Sequence, residues 1–131
     1  MRISRESWSK IQTIIRQYPE SCRLITEWEM EVLDANLKAR DPTGHKALLL
    51  QSDYAKRLTR EISAVEDMLS HFNDCEQSVI RMRFWSGRYV LPYEYMSALP
   101  YSERQMHRII SKCIKIVGIN LGELNPKIWR L

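Results

Sequence analysis

Residues that interrupt helices are scarce in this chain, and their scarcity constrains the fold more than any other feature. Only four glycines and five prolines occur among 131 residues, and the stretches between them are rich in Glu, Lys, Arg, Leu and Ile. These residue types favour the α-helix, whereas glycine and proline interrupt it. Hydrophobic residues make up 44% of the chain, enough for one small domain or two sub-domains that share a core. We therefore expect an all-α protein.

Apolar residues at helical spacing predict two helices near the N-terminus. Trp8, Ile11 and Ile15 are spaced three and four residues apart, as are the residues on the buried face of an amphipathic helix. Pro19 interrupts this pattern and suits the first turn of the next helix, which we expect to run to about Leu37. Together the two segments predict a helical hairpin.

The clearest loop of the chain follows this hairpin. Residues 38–46, with the sequence KARDPTGHK, contain an Asp-Pro pair and a glycine, which are typical of loops. Beyond the loop, apolar residues repeat every three or four positions and predict a long amphipathic helix over residues 47–70. Ser52 or Asp53 is an alternative start for this helix.

A further helix is predicted to begin at Asp74. Asp74 followed by Gln77 is typical of an N-cap with its capping-box partner, and the helix should extend to about Trp85. The segment IRMRF also alternates apolar and charged residues, as a half-buried strand does. No partner strand is recognisable in the sequence, and a lone strand leaves its backbone groups unsatisfied, so we favour the helix. Residues 86–92 are then a linker.

Two helices joined by a tight turn are predicted in the C-terminal half. Pro92 opens a short helix, and Pro100 breaks it. Ser102 followed by Gln105 is a capping box, so a second helix should begin at this serine and end before Gly118, a residue suited to the C′ position. This outline is that of a helix-turn-helix. Its small core would consist of Tyr95, Leu99, Tyr101, Met106 and Ile109.

Positive charge is concentrated in the same half of the chain. Residues 1–74 contain 11 Lys and Arg against 12 Asp and Glu, a balance of −1, whereas residues 75–131 contain 9 against 4, a balance of +5. Such an asymmetry favours an anionic partner for the C-terminal half. Side chains outside the core at the start of the second helix are mostly types that hydrogen-bond to bases or phosphates. The candidate DNA contacts there are Ser102, Glu103, Arg104, Gln105, His107, Arg108, Ser111 and Lys112.

Three arginines ahead of the helix-turn-helix have two possible roles. They are Arg81, Arg83 and Arg88. They are candidates either for contacts with backbone phosphates beside the groove or for ion pairs with acidic groups of the N-terminal helices.

The C-terminal half of the sequence resembles a known family. The run SVIRMRFWSGRYVLPYEYMSALPYSERQMHRIISK is similar to the C-terminal region of RinA/ArpU-type phage late-transcription regulators. The same run also resembles region four of bacterial sigma factors, which is their promoter-reading helix-turn-helix. In that pattern a helix ending in an apolar-Arg-aromatic-Trp run, here IRMRFW, precedes the helix-turn-helix. The segments IIRQYPE, DPTGHKA and DYAKRL also match in position, so the resemblance spans roughly residues 10–117.

The chain departs from this pattern at two positions. Met96 stands where the helix-turn-helix usually has a small residue, and Pro100 stands where glycine is usual in the turn. Proline does not readily adopt the positive φ that glycine supplies. The motif is therefore expected as a variant.

The resemblance implies a phage or prophage transcriptional regulator that activates late genes in the bacterial cytoplasm. Its partners would be double-stranded DNA, the host RNA polymerase and further copies of the chain. We expect residues 1–74 to be a helical scaffold or interaction region, residues 75–118 to bind DNA, and residues 119–131 to be a tail. Trp129 would anchor this tail to the body or to a partner, whereas Trp8, Trp28 and Trp85 are expected in the core.

Two alternatives to a regulator remain open. A DNA-packaging recognition subunit, similar to a small terminase, also joins a helix-turn-helix to helical oligomerisation segments. A helical interaction module whose basic face binds no nucleic acid is the other alternative. RNA polymerase would be the partner of a regulator, whereas a packaging subunit would form rings and stimulate a motor ATPase.

Several other classes of protein find no support in the sequence. A phosphate-binding glycine loop, a metal-ligand cluster and a Cys/His nucleophile spacing are all missing, so we expect neither an enzyme nor a cofactor. Cys22, Cys75 and Cys113 stand far apart and are expected to be reduced, buried thiols. The N-terminal segment MRISRESWSK has no apolar stretch, and no window approaches the roughly 20 apolar residues that a membrane span needs.

Overall fold

Five α-helices account for the regular structure of this protein where it is described. The computed structural model describes residues 3–39, 53–87, 94 and 98–127. Within these ranges there is no strand, and the predicted all-α fold class is confirmed. The helices are α1 (Arg5–Arg16), α2 (Tyr18–Ala39), α3 (Asp53–Ser70), α4 (Asp74–Phe84) and α5 (Glu103–Asn120).

The N-terminal helices begin and end close to the predicted positions. The chain turns at Gln17, and Pro19 lies in the first turn of α2, where its missing N–H does no harm. The loop predicted from residue 38 is wrong at Lys38 and Ala39, because α2 continues through both; the rest of that loop lies outside the described residues. Helix α3 confirms residues 53–70 of the long predicted helix. The hairpin arrangement stays a prediction.

Helix α4 confirms the choice of helix over strand, but its predicted N-cap is wrong by one residue. Asn73 is the N-cap: its Oδ1 accepts from the Glu76 N–H at 2.8 Å, and the Asn73 N–H donates to Glu76 Oε1 at 3.1 Å. Gln77 serves another purpose, because its Nε2 donates to the carbonyls of Leu69 and Phe72 at 2.9 and 3.2 Å. The amide therefore satisfies carbonyls at and just beyond the end of α3.

Helix α5 begins as predicted and ends later than predicted. Ser102 is the N-cap, and its capping box with Gln105 is confirmed. Gly118 is not the terminating residue, since the helix runs on to Asn120. Gly122, with φ of +77°, takes the C′ position instead: its N–H donates to the Ile119 carbonyl at 3.0 Å, and the next N–H donates to the Gly118 carbonyl at 2.8 Å. This pair of bonds is a Schellman motif.

Gly118 is needed for close packing rather than for a turn. It is buried inside α5. A Cβ at this position would lie 2.7 Å from Leu124 Cδ1 and 2.8 Å from Ile11 Cδ1. The absent side chain therefore lets α1 and the segment after α5 approach the helix backbone.

The chain forms two compact units. Unit 1 comprises Met1–Arg16 and Ala64–Leu131, and unit 2 comprises Gln17–Ser63. In unit 1, α1 and α4 both pack on α5. The predicted regions 1–74, 75–118 and 119–131 concern roles rather than packing and stay a prediction. Among the described residues, the largest fully buried side chains all belong to unit 1: Ile11, Ile15, Met68, Ile80, Ile114, Ile116, Val65, Val79, Val117 and Cys113.

Polar contacts join the elements of unit 1. Lys10 Nζ on α1 lies 2.5 Å from Glu123 Oε1. Asn120 Nδ2, at the end of α5, donates to the Ala64 carbonyl at 3.1 Å and to Asp67 Oδ2 at 2.8 Å. All three contacts lie at or beyond the C-terminal end of α5 and fix that end of the helix to the rest of unit 1.

The tryptophans and cysteines are less buried than predicted. Three tryptophans expected in the core are each half-buried: Trp8, Trp28 and Trp85. The indole Nε1–H of Trp85 donates to the Ile15 carbonyl at 2.8 Å, so the polar edge of this ring has an acceptor within the fold. Cys75 is exposed and Cys22 half-buried, so the prediction of buried thiols holds for Cys113 alone. Burial raises the pKa of the Cys113 thiol to about 12.

None of the helices has the character of a membrane span. Among the described residues, every helix is too short or too polar to cross a lipid bilayer.

Candidate nucleic-acid interface

The burial of one face of α5 determines which side chains its first turns expose. Met106, Ile109 and Cys113 recur at helical spacing and are buried against the rest of unit 1. The opposite face is consequently turned outward. Of the predicted DNA contacts on and before α5, the exposed ones are Ser102, Glu103, Arg104, Gln105, His107, Arg108 and Lys112, and Ser111 is half-buried.

Arg104 and Arg108 are the two cations of this face without a partner. Both are exposed, and within the described part of the chain neither guanidinium has a hydrogen-bond or ion-pair partner. They stand four residues apart, so they are neighbours on the helix surface and repel each other, which weakens a helix by about 0.2–0.5 kcal/mol. Two adjacent guanidinium groups that are held in solvent by a helix with a buried opposite face are suited to bind an anion.

Ser102 and Gln105 are partly engaged in holding the helix end. The Ser102 N–H donates to Gln105 Oε1 at 2.8 Å, and the Gln105 N–H donates to Ser102 Oγ at 3.2 Å. A glutamine that reads adenine must accept with its oxygen and donate with its nitrogen at the same time. The capping box uses that oxygen, so Gln105 is better placed to donate than to read a base with both atoms.

His107 and Lys112 also have partners within the chain. His107 Nε2 lies 3.6 Å from Glu103 Oε1, a pair in the i, i+4 relation. Lys112 Nζ lies 5.6 Å from the centroid of the Phe72 ring, within the range of a cation–π contact. Each of these side chains would have to leave its partner to contact DNA.

The arginines of α4 have different surroundings. Arg81 is exposed, and its guanidinium donates to Gln77 Oε1 at 3.1 Å. Arg83 is half-buried; it donates to Gln12 Oε1 at 3.2 Å and lies 5.3 Å from the Phe84 ring centroid. Its partner on α1 is thus an amide rather than the acidic group that one alternative required.

Some of the remaining predicted positions lie outside the described residues. Arg88 and two positions of the first helix of the motif, Tyr95 and Met96, belong to this group. Glu94 and Ala98 have helical backbone geometry, and Leu99 and Tyr101 are half-buried. The helix-turn-helix arrangement, including the turn at Pro100, stays a prediction.

One residue of the basic face was missing from the predicted contacts. Lys115 follows Arg104 by eleven positions, which is three turns of an α-helix, so both side chains lie on one face. The periodicity would have identified it. With Lys115, that face of α5 carries four cations, and the single acidic residue of the helix, Glu103, lies beside it rather than on it.

Among the described residues, no group of three or more His, Cys, Asp or Glu side chains could hold a metal ion. Family models, curated proteins and solved structures yield no match to this chain.

Proposed function

We propose that this protein is a sequence-specific DNA-binding regulator of transcription that reads the major groove with α5. The observation that carries the proposal is the pair of unpartnered guanidinium groups, Arg104 and Arg108, on the outward face of a helix whose other face is buried. Arginine binds guanine O6 and N7 with two parallel hydrogen bonds and binds phosphate in the same way. The buried face would fix the register of these contacts.

The start of α5 supports a phosphate contact next to the base contacts. The first N–H groups of a helix have no intrahelical acceptor, and the positive end of the helix dipole favours an anion. Ser102 Oγ takes the N–H of Gln105, which leaves those of Glu103 and Arg104 for a DNA phosphate. Lys112 and Lys115 would add to the general attraction of the backbone.

The biological setting of the proposal comes from the resemblance to RinA/ArpU-type regulators. It comprises a phage or prophage origin, activation of late genes in the bacterial cytoplasm, contact with host RNA polymerase and self-association. A small-terminase-like packaging subunit would bind DNA with the same helix. Cross-linking in host lysate separates these roles, since the first should capture RNA polymerase subunits and the second a motor ATPase.

The DNA proposal is tested by salt-dependent titration. Sequences are first selected from phage genomic DNA with the native chain, and the best duplex is then titrated at several salt concentrations. For Arg104→Ala with Arg108→Ala we expect binding to weaken by about 5- to 150-fold for each arginine that touches a base. The slope of log affinity against log salt should become shallower by about 0.9 for each arginine that touches a phosphate.

The matched control removes two other cations at the same spacing. Lys56 and Arg60 on α3 are exposed and four residues apart, so Lys56→Ala with Arg60→Ala changes the net charge equally. This control should bind DNA like the native chain. Equal losses in both double variants would mean that only net charge matters, and no loss in the first would remove α5 as the recognition helix.

A further inference from the structure

Unit 2 contains a groove that the proposed DNA-binding function does not use. The groove has a volume of about 370 Å³ and is lined by Leu24, Glu27, Trp28, Glu31 and Tyr54, which lie on α2 and at the start of α3. The Trp28 and Tyr54 rings stand 5.6 Å apart at 59°. Two tilted aromatic rings with carboxylates beside them form a surface that suits an organic cation.

The charge of α2 has the sign that a cation requires. Five acidic residues and two basic ones occur along this helix, a balance of −3. Arg23 is already paired with Glu20 and Glu27, and its hydrogen bond lowers the pKa of Glu20. Glu31, by contrast, has no hydrogen-bond or ion-pair partner within the described ranges. The groove thus offers one carboxylate that is not already neutralised.

The Tyr54 ring already has one cation of the chain near it. The guanidinium carbon of Arg57 lies 5.7 Å from the ring centroid of Tyr54. Arg57 is not among the residues that line the groove. The groove side of the aromatic pair is therefore a second place where a guanidinium or ammonium group can lie near a ring.

We propose that this groove binds an arginine or lysine side chain of a basic protein segment, with the cation near Trp28 and Tyr54 and paired to Glu31. A nucleic acid or a free amino acid carries anionic groups that the negative charge of α2 would repel. A protein segment presents its cation without a nearby anion, and Leu24 offers apolar surface for the stem of that side chain.

The test begins with a random peptide library. The bait is the full chain with Arg104→Ala and Arg108→Ala, which removes cations that would capture acidic peptides and makes the outcome independent of DNA binding. Enriched peptides should carry net positive charge with at least one arginine or lysine. Neutral or acidic enriched peptides would overturn the proposal.

Affinities of the enriched peptide for matched variants then locate the site. Glu31→Gln should weaken binding about threefold, as for an exposed ion pair, and Glu31→Arg should weaken it further. Glu29→Gln removes the same charge outside the groove and should leave the affinity unchanged. Trp28→Ala should weaken binding about tenfold, because alanine offers neither an aromatic face to the cation nor comparable apolar area to its stem.

The exposed position of Glu31 keeps the test decisive if Trp28→Ala unfolds. Glu31→Arg should leave the folded chain intact, as the circular dichroism melt should show. Weaker peptide binding by this variant than by Glu29→Arg, which changes the net charge equally outside the groove, supports the proposal. Equal binding of the peptide to Glu31→Arg and to Glu29→Arg would overturn it, because the peptide would then lie elsewhere.

Discussion

The two compact units treat their apolar side chains in opposite ways. Among the described residues, every large side chain that is fully buried belongs to unit 1. Unit 2 buries Ala55 and Leu58 among its described residues, and it holds the exposed large apolar side chains Met30, Leu33 and Tyr54, at 65%, 48% and 39% exposure. Unit 1 thus has a core of its own, whereas the described part of unit 2 leaves three large apolar side chains exposed.

The units also present surfaces of opposite charge. The outward face of α5 in unit 1 carries four cations, while α2 in unit 2 has five acidic residues and two basic ones. A helix rich in cations and a helix rich in carboxylates attract different partners. The net charge of +4 thus conceals two oppositely charged surfaces, and each can be tested separately.

The largest expected effect comes from the core of unit 1. Ile80 on α4 is fully buried, so Ile80→Ala should lower the free energy of unfolding by about 2–5 kcal/mol. Leu33→Ala on α2 removes an exposed side chain and should change it by less than about 0.5 kcal/mol. Urea denaturation followed by circular dichroism measures both. Similar losses for the two variants would mean that Leu33 contributes as much packing as Ile80, which would contradict its exposure.

A smaller loss is expected where unit 1 leaves no room for a methyl group. Gly118→Ala places a Cβ within 2.8 Å of Leu124 and Ile11 side chains, and overpacking of this kind costs about 1–3 kcal/mol. Gly122 has open space around it but a φ of +77°. There Gly122→Asn should be better tolerated than Gly122→Ala, because asparagine adopts that conformation more readily. A Gly118→Ala chain as stable as the native one would contradict the close packing.

The buried thiol of unit 1 should make stability fall at alkaline pH. The pKa of Cys113 is raised to about 12 by burial, and that of an unfolded cysteine is about 8.5. The unfolded chain therefore loses this proton first, and its contribution to stability is complete below about pH 8.5 and decreases by about 1.4 kcal/mol per pH unit above it. Cys113→Ala should show a shallower alkaline decrease in urea titrations between about pH 8 and 10. Parallel curves for both chains would rule this out.

The smallest effect concerns the first turn of α4. Asn73→Ala removes the observed N-cap and should cost about 1 kcal/mol. Asp74→Ala removes only a charge near the helix N-terminus, worth about 0.3 kcal/mol. Thermal melts compare the two variants directly. The reverse order would restore Asp74 as the cap that the sequence predicted.

The sequence predicts the described helices of this protein well. It predicts poorly which of two similar capping signals marks the end of a helix. Asn73 with Glu76 and Asp74 with Gln77 are two overlapping capping boxes, and local chemistry does not rank them. The carbonyl of Leu69 on the preceding helix, which binds the Gln77 amide, decides between them. Gly118 and Gly122 pose the same problem. Close contacts with Ile11 and Leu124 account for the glycine at 118, whereas the positive φ that ends the helix belongs to Gly122.

The candidate site divides in the same way between local and distant causes. Periodicity alone predicts that Arg104 and Arg108 face outward, since the apolar positions of α5 define its buried side. It does not predict that Lys112 lies over Phe72 or that Arg83 donates to Gln12, because those partners come from other parts of the chain. The groove beside Trp28 is equally hidden in the sequence, because a tryptophan at helical spacing is typical of a core residue.

The packing of α1 against α5 determines when unit 1 can fold during synthesis. Ile11 meets Gly118, which leaves the ribosome about 100 residues later. At about 5–20 residues per second, translation needs about 5–20 s to supply that partner. During this interval Ile11 and Ile15 have no helix α5 to cover them, although unit 2 has already been synthesised. Folding of unit 1 is therefore delayed until α5 has emerged, and nascent chains arrested before α5 should bind chaperones through α1.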